Sequence, residues 1–376
     1  MAGIYIHIPF CKQACTYCNF HFSSSLKQKA DLIAALNKEI LLTPLLTTNA
    51  EEIDTIYIGG GTPSLLSADE LKTIFETLHN KFRINTTAEI TLEANPDDIN
   101  RPTLKQWQQV GINRLSLGVQ SFSEAELKWM NRAHNAAESL NSIDEIQDAG
   151  FTNFSVDLIY GSPLLSDDDL KRNLDIIFKK NIPHISCYAL TVEPKTVLDK
   201  MIHQKTSLPV DPEKQATQFL LLMDLMQQQG YDHYEISNYA KPGMRSKHNS
   251  SYWQGKAYYG FGPSAHSFDG IKTRRWNIAN NSLYIQSLSK DMIPFEEEVL
   301  TETQQLNEYI MTSLRTTEGL DLRKISSDFG NDHHEKILKE SRKFFESKKL
   351  EQQDGNLILT REGKLFADGI AADLFF

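Results

Sequence analysis

The chain is short of cysteine, of long apolar runs and of positive charge, and each shortage excludes a class of protein. Only four cysteines occur in 376 residues, and a chain of this size with 40% apolar residues can build its core without disulfides. No run of about 18 apolar residues appears, so no membrane-spanning helix is predicted. The formal net charge of −10 argues against a broad nucleic-acid surface, although it permits a small local basic site.

The N-terminal sequence MAGIYIHIPFC has neither the charged segment nor the long apolar segment of a secretory signal. We therefore expect a cytoplasmic protein. Three of the four cysteines, Cys11, Cys15 and Cys18, are packed into one short stretch. In a chain without an export signal, such a group indicates metal ligands rather than disulfides.

Strand-like runs alternate with amphipathic stretches through the first half of the chain. The predicted strands are Ile4–Ile8, Thr55–Ile58, Glu89–Glu93, Arg114–Val119, Asn153–Ile159 and His184–Thr191. The predicted helices are Leu26–Leu42, Ala68–Lys81, Arg101–Val110, Glu124–Asn131, Ala137–Ala149 and Asp167–Lys180. Six β-then-α units predict an α/β fold with a parallel sheet, and they are too few to close an eight-fold barrel. The sequence thus favours a partial (β/α)6, TIM-like barrel, with its chemistry at the carboxyl ends of the strands.

The rest of the chain divides in two. We expect the barrel domain to cover residues 1–239, followed by an aromatic connecting region over 240–300 that contains the sequence HNSSYW. Residues 301–376 read as three helices, a short strand and a last helix, an order that predicts a helical, winged-helix-like C-terminal module.

The cysteine spacing C-x3-C-x2-C directly follows the first predicted strand. Iron–sulfur clusters are held by thiolates in short loops of this kind, and three thiolates leave one iron of a [4Fe–4S] cluster open for chemistry. The alternatives are three unrelated buried cysteines or a zinc site, and zinc would need a fourth ligand such as His21.

The neighbouring residues add a family resemblance. The segment YIHIPFCKQACTYCNF resembles the opening motif of the radical-SAM proteins related to oxygen-independent coproporphyrinogen dehydrogenase. Further blocks resemble the HemW branch of that group, the heme chaperones: GGGTPSLLS, TLEANPDD, RLSLGVQSF, SVDLIYGSP, YEISNYA, HNSSYW, GFGPSAHS and the C-terminal LRTTEGLDL. The resemblance covers nearly the whole chain and implies a radical-SAM barrel whose cluster binds S-adenosylmethionine (SAM). It also implies electron transfer from the cluster to the sulfonium, which yields methionine and a 5′-deoxyadenosyl radical.

The resemblance also assigns a set of SAM contacts. The matching residues are Tyr5, Gly60, Gly61, Thr62, Glu93, Gln120, Arg132 and Asp157. Glycines let the backbone approach a ligand, carboxylates can bind ribose hydroxyls or an ammonium group, and arginine can pair with a carboxylate. Taken singly, each residue could instead cap a loop or form a surface ion pair.

Two departures favour the HemW branch over the dehydrogenase branch. Phe20 stands where the dehydrogenases carry a fourth cysteine, and Tyr5 lies almost at the start of the chain, without their N-terminal extension. For the HemW branch, HNSSYW suggests haem contacts through His248, Tyr252 and Trp253, because imidazole is a common haem ligand and aromatic rings can pack against a porphyrin. The alternative is that His248 caps a loop and the aromatic residues belong to the core. His7, His21 and His266 are competing ligands, and Cys187 is expected to be a buried strand residue.

The expected function is therefore a heme chaperone that binds a [4Fe–4S] cluster, SAM and heme. Its expected partners are heme-accepting proteins, with those of the respiratory chain as candidates, peripheral contact with membrane proteins left open, and no nucleic acid. The alternatives are a coproporphyrinogen III oxidase-like enzyme acting on a tetrapyrrole, and a structural or regulatory protein with a degenerate cluster site. The intact cysteine triad argues against the last.

Overall fold

The computed structural model describes residues 2–45 and 52–376; Met1, the first residue of the predicted barrel domain, lies outside the described residues. Twelve strands form one mixed sheet in the order β12-β11-β10-β9-β1-β2-β3-β4-β5-β6-β8-β7, and β13, β15 and β14 form a second, smaller sheet. The strands are β1 Ala2–Ile8, β2 Glu52–Gly60, β3 Arg83–Ala94, β4 Arg114–Gln120, β5 Phe154–Tyr160, β6 His184–Ala189, β7 Asp232–Glu235, β8 Asn238–Ala240, β9 Tyr258–Phe261, β10 His266–Phe268, β11 Thr273–Asn277, β12 Phe295–Val299, β13 Leu320–Asp321, β14 Leu350–Gln353 and β15 Asn356–Leu359.

Helices connect the strands. They are α1 Lys29–Leu42, α2 Ala68–Lys81, α3 Arg101–Gln109, α4 Glu124–Trp129, α5 Ala136–Asp148, α6 Asp167–Lys179, α7 Val197–His203, α8 Pro212–Gln228, α9 Lys247–Trp253, α10 Asn281–Leu288, α11 Glu302–Leu314, α12 Leu322–Phe329, α13 Asn331–Glu346 and α14 Ala367–Asp373. None of the helices in the described part of the chain is both long enough and apolar enough to span a bilayer.

The predicted partial (β/α)6 barrel is confirmed, since β1 to β6 pair in parallel in chain order. Alternate residues of a strand face opposite sides of the sheet. On β1, Ile4, Ile6 and Ile8 are fully buried in the apolar core, whereas Tyr5 and His7 point into the barrel and contact each other. The interior is thus polar, and its side chains can serve a ligand.

The region 240–300 is more than the predicted connection, because its strands lengthen the sheet. Strand β9 pairs in parallel with β1, and β10, β11 and β12 follow as antiparallel neighbours. At Gly260 a Cβ atom would lie 1.9 Å from the His266 carbonyl oxygen, so only glycine permits this turn from β9 to β10. The buried carboxylate of Glu39 on α1 secures the extension by accepting hydrogen bonds from Gly262 N, Asn277 Nδ2 and Tyr284 Oη.

The C-terminal module matches the winged-helix-like prediction. Helices α11 to α14 enclose a separate apolar core with the three-stranded sheet. The module docks on the barrel through backbone bonds, in which Ile236 N donates to the Arg315 carbonyl at 3.1 Å and Thr317 N to the Tyr234 carbonyl at 3.0 Å. Side-chain pairs between Arg361 and Asp224 and between Arg245 and Glu318 support this contact.

Candidate active site at the carboxyl ends of the strands

The cysteine loop follows β1 directly and is fixed by its backbone. Cys11 N donates to the Ser23 carbonyl at 3.0 Å, Thr16 N to the Met130 carbonyl at 3.0 Å, and Leu198 N to the Thr16 carbonyl at 2.7 Å. The loop is thereby joined to the segment after α4 and to the start of α7. Its position is set by three separate parts of the fold.

The three thiols line one cavity of about 460 Å³, which is within the usual size of ligand pockets. Burial raises the pKa of Cys11 to about 11 and also raises that of Cys18. Among the described residues, no three His, Cys, Asp or Glu side chains are gathered closely enough to hold a single metal ion. The His21 ring does not line this cavity and bonds to Asn281 Oδ1 at 2.8 Å. The arrangement fits three ligands around a larger metal cluster better than a zinc ion with His21 as its fourth ligand.

The segment 59–63, which includes the end of β2, packs directly against the cysteine loop. Gly61 N donates to the Ile8 carbonyl at 2.9 Å, and a Cβ atom at Gly61 would lie 2.6 Å from the Phe10 carbonyl oxygen and 3.0 Å from Cys11 Sγ. Gly60 has a φ of +114°, and a Cβ there would meet the His7 ring at 2.7 Å. These glycines are required by close approach and by conformation, and they leave backbone exposed to the cavity beside Thr62.

Arg132 links the cysteine loop to the strand ends. Its Nη1 donates to Cys15 Sγ at 3.2 Å, and its Nη2 donates to Asn95 Oδ1 and the Gly118 carbonyl, both at 2.7 Å. Nε is buried without a partner among the described residues. The guanidinium therefore contacts a predicted cluster ligand, which the sequence did not indicate.

Glu93 and Asp157 place two buried carboxyl groups on the cavity wall. Glu93 accepts hydrogen bonds from Tyr57 Oη at 2.8 Å and Gly60 N at 3.0 Å. Burial raises its pKa to about 7, although these two bonds act in the opposite direction. Burial likewise raises the pKa of Asp157 to about 6, against the hydrogen bond from Ser186 and the charge of Arg114. Both carboxyl groups are costly to ionise alone, so a cationic ligand would stabilise them.

Gln120 also lines the cavity, at the irregular end of β4. The pairing of β4 with β5 shifts register between Leu117 and Gln120, and Gln120 has a φ of +68°. Such bulges redirect side chains near active sites. The sequence pattern cannot show this turn, because the residue is not a glycine.

Tyr5 is the predicted SAM contact that does not line the cavity. Its Oη bonds to His7 Nδ1 at 3.0 Å, and its ring stacks on Tyr57. His7 in turn bonds through Nε2 to the His21 carbonyl at 2.9 Å. Tyr5 thus supports the wall beneath Glu93 rather than facing the cavity itself.

Several cavity residues were missed by the sequence analysis. They are Tyr17, Asn95, Ser116, Gly118, Tyr188 and Glu193. Asn95 lies within the block TLEANPDD and Tyr17 within the cysteine loop, so both sit in segments that the sequence had singled out. Ser116 and Gly118 lie on β4 within the block RLSLGVQSF, whereas Tyr188 on β6 and Glu193 after it have no local pattern that distinguishes them.

The structure places the predicted haem residues at the other end of the barrel. His248 is 1% exposed, with Nδ1 bonded to Thr55 Oγ1 at 2.8 Å and Nε2 to Tyr252 Oη at 2.9 Å. Burial lowers its pKa to about 3. The ring therefore has no free nitrogen in this conformation, and Trp253 lies half-buried beneath Arg315. In this conformation His248 therefore offers no open ring nitrogen to a haem iron.

The structure also places the other candidate haem ligands, His7, His21 and His266. His266 is exposed and its ring stacks on Trp276, while His7 and His21 belong to the chain of bonds under the cavity. Cys187 is 3% exposed on β6, as expected of a small core residue.

Comparisons with known proteins agree with this geometry. Residues 5–177 match the family model of the radical-SAM superfamily, and residues 300–366 match that of the HemN C-terminal domain. The heme chaperone HemW of Bacillus subtilis is 34% identical over 98% of both chains, and that of Escherichia coli K12 is 37% identical over 70% of this chain and 69% of its own. The chain belongs to the HemW family.

Membership of the radical-SAM superfamily implies a [4Fe–4S] cluster and SAM, and the cavity described above offers a fitting set of donors. A solved structure of the Escherichia coli coproporphyrinogen III oxidase HemN superposes with a TM-score of 0.84, covering 100% of this chain and 90% of that one. At 22% identity this likeness establishes the fold alone. Unlike members of the dehydrogenase branch, this HemW-family chain has Phe20 at the cavity, with 68% of its surface exposed.

Proposed function

We propose that this protein is a heme chaperone, which binds a [4Fe–4S] cluster and SAM in its cavity, holds haem and passes it to acceptor proteins. Respiratory-chain proteins are candidate acceptors, and peripheral contact with membrane proteins would bring the chaperone to them. One observation carries the proposal: a cavity lined by the three clustered cysteines, with Phe20 at its wall, occurs in a chain that aligns with named heme chaperones over almost its full length.

In this proposal Cys11, Cys15 and Cys18 hold the cluster, while Glu93 and Arg132 bind SAM beside the Gly60–Gly61 backbone. When bound, the cluster would supply the electron that reduces SAM. The residues of the chain bind and orient the ligand and restrict water. Arg132 lies between the thiol of Cys15 and the strand ends, so it joins the cysteine loop to the proposed SAM contacts.

The proposed haem contacts remain those around α9, but the geometry suggests a supporting role for His248. Its hydrogen bonds to Thr55 and Tyr252 join α9 to β2 and fix the helix. Losing this ring would loosen the surface against which haem docks, even if the iron never contacts the imidazole.

Haem titration of anaerobically reconstituted protein tests the proposal. We expect wild-type protein to give a Soret band, and His248→Ala to weaken haem binding with iron–sulfur content unchanged. His203→Ala is the matched control, because its side chain is 80% exposed. A shifted Soret band in the bound His248→Ala variant would identify an axial ligand, whereas weaker binding without a shift would identify a supporting residue. Absence of haem binding by wild-type protein would refute the chaperone proposal.

The alternative from the sequence analysis is oxygen-independent oxidation of coproporphyrinogen III, which the similarity to named heme chaperones does not favour. We expect no conversion to protoporphyrinogen IX by reconstituted protein with SAM under reducing conditions, because Phe20 replaces the fourth cysteine. Product above that of the cluster-free Cys15→Ala variant would restore the enzyme interpretation.

A further inference from the structure

A second pocket, which we call the basal pocket, lies at the opposite end of the barrel from the cysteine loop. It has a volume of about 410 Å³ and is formed by the amino ends of β1, β2 and β3 together with α9 and its flanks. Its lining residues are polar, basic or small, including Gly3, Thr55, Asn85, Lys247, Ser250 and Lys256, with one acidic residue, Asp54, whose carboxylate accepts a hydrogen bond from Asn85 Nδ2. Such a lining suits the charged groups of a ligand better than an apolar ring.

The basal pocket has more positive than negative charge, because Arg245, Lys247 and Lys256 line it together with one carboxylate, that of Asp54. Lys247 and Lys256 are exposed, and within the described residues neither ammonium group forms an ion pair with a carboxylate. Arg245 also lines the pocket, but its charge is neutralised because its guanidinium group pairs with both Asp232 and Glu318. Two free ammonium groups beside one pocket, in a chain of net charge −10, indicate a local site for an anion.

The wall of the basal pocket packs against the ring of His248. Thr55 lines the pocket and bonds to His248 Nδ1 at 2.8 Å. Gly3 also lines it, and a Cβ atom there would lie 3.4 Å from His248 Nδ1. Helix α9 therefore turns His248 and Tyr252 towards the interior, while its Lys247 and Ser250 face the pocket. Both surfaces belong to the HNSSYW segment and its neighbours.

We propose that the basal pocket binds the propionate carboxylates of haem through Lys247 and Lys256. This inference rests on the proposed haem binding and specifies which part of the ligand is recognised. Haem has two carboxylates at one edge of its ring, and charge-assisted hydrogen bonds from lysine are suited to them. A free anion such as inorganic phosphate has the same chemistry, so the experiment has to separate the two sources.

The test compares haem with haem dimethyl ester, in which both carboxylates are blocked. Lys247→Ala/Lys256→Ala is measured against Lys105→Ala/Lys339→Ala, which removes two exposed lysines from α3 and α13. We expect the first variant to bind haem at least about ten-fold more weakly than wild-type protein, since each charged hydrogen bond contributes about ten-fold or more. Its affinity for the ester should be unchanged, and its haem affinity should depend less on salt. The control should match wild-type protein throughout.

The contradicting outcomes are distinct. Equal haem affinity in both double variants, or equal affinity of wild-type protein for haem and its ester, would overturn this inference and leave the chaperone proposal intact. If wild-type protein binds no haem, the chaperone proposal fails and this inference fails with it. If inorganic phosphate stabilises wild-type protein but not the Lys247/Lys256 variant against heat, and haem affinity is the same in both, the pocket is a free-anion site and the haem assignment is wrong. Urea unfolding of each variant checks that its fold is intact.

Discussion

At the scale of single residues, the cysteine triad gives the first prediction. Replacing Cys11, Cys15 or Cys18 with Ala should abolish the roughly four irons per chain expected after anaerobic reconstitution, because each thiolate holds one iron of the cluster. Cys187→Ala is the control, since that thiol is buried in β6 away from the loop. Iron analysis and the visible spectrum give the measurement. Unchanged iron content in Cys15→Ala would overturn the cluster assignment.

Glu93 gives a prediction about pH. Burial raises the pKa of its carboxyl group to about 7 in the free protein, whereas SAM carries positive charge and would bind the ionised form. SAM affinity should therefore fall as the pH drops through about 7 and should level off above it. Glu93→Gln should flatten this dependence and cost about 1.5–3 kcal/mol of SAM binding at pH 8.

Calorimetry on cluster-loaded protein measures this, with the exposed Glu76→Gln as control. An identical pH dependence in Glu93→Gln and wild-type protein would exclude the contact. Glu93 is a better probe than Arg132, whose Nη1 donates to Cys15 Sγ, so that Arg132→Ala would disturb the cluster as well.

The residues of the cavity were predictable where they lie in local motifs. Cys11, Gly61 and Glu93 each follow or end a recognisable strand, and the carboxyl ends of parallel strands meet at one edge. The family resemblance assigned Tyr5 to the SAM contacts, but the direction of its side chain depends on contacts with His7 and Tyr57. Such long-range contacts have no signature in the local sequence.

At the scale of secondary-structure elements, Glu39 connects α1 to the sheet extension β9–β12 through buried hydrogen bonds. Glu39→Ala would leave buried donors on Gly262, Asn277 and Tyr284 with lost or reduced hydrogen bonding. We expect the free energy of unfolding to fall by about 3–5 kcal/mol, because buried unpaired polar groups are costly. Urea unfolding measures this, and Glu76→Ala on the exposed face of α2 should change stability by less than about 0.5 kcal/mol. A similar loss in both variants would contradict the assigned role.

The sequence predicts a helix correctly where a helical repeat of apolar residues coincides with a capping motif. Helix α2 begins and ends as predicted, since Ser67 and Glu70 form a capping box at its start and its apolar positions repeat with helical spacing. The short strands β9 to β12 were not predicted. The pairing of β9 with β1 is long-range, and three- to five-residue strands rich in Arg and Glu lack a clear alternation.

At the scale of the whole molecule, two pockets lie at opposite ends of one barrel. The cavity with the cysteine loop lies at the carboxyl ends of the strands, and the basal pocket with α9 lies at their amino ends. Arg245 pairs with Glu318 of the C-terminal module, so this module directly braces the segment that leads into α9. The sequence indicated all three parts, but only the folded chain shows that the HNSSYW segment packs against the amino ends of β1 and β2.

The central claim is that this protein carries haem to other proteins, and haem transfer tests it most directly. Reconstituted protein is loaded with one equivalent of haem, separated from free haem and mixed anaerobically with excess apomyoglobin, while the Soret band is followed. We predict that the protein retains haem through the separation and then releases it to apomyoglobin. Loss of all haem during separation, or retention of haem in the presence of excess acceptor, would contradict the account.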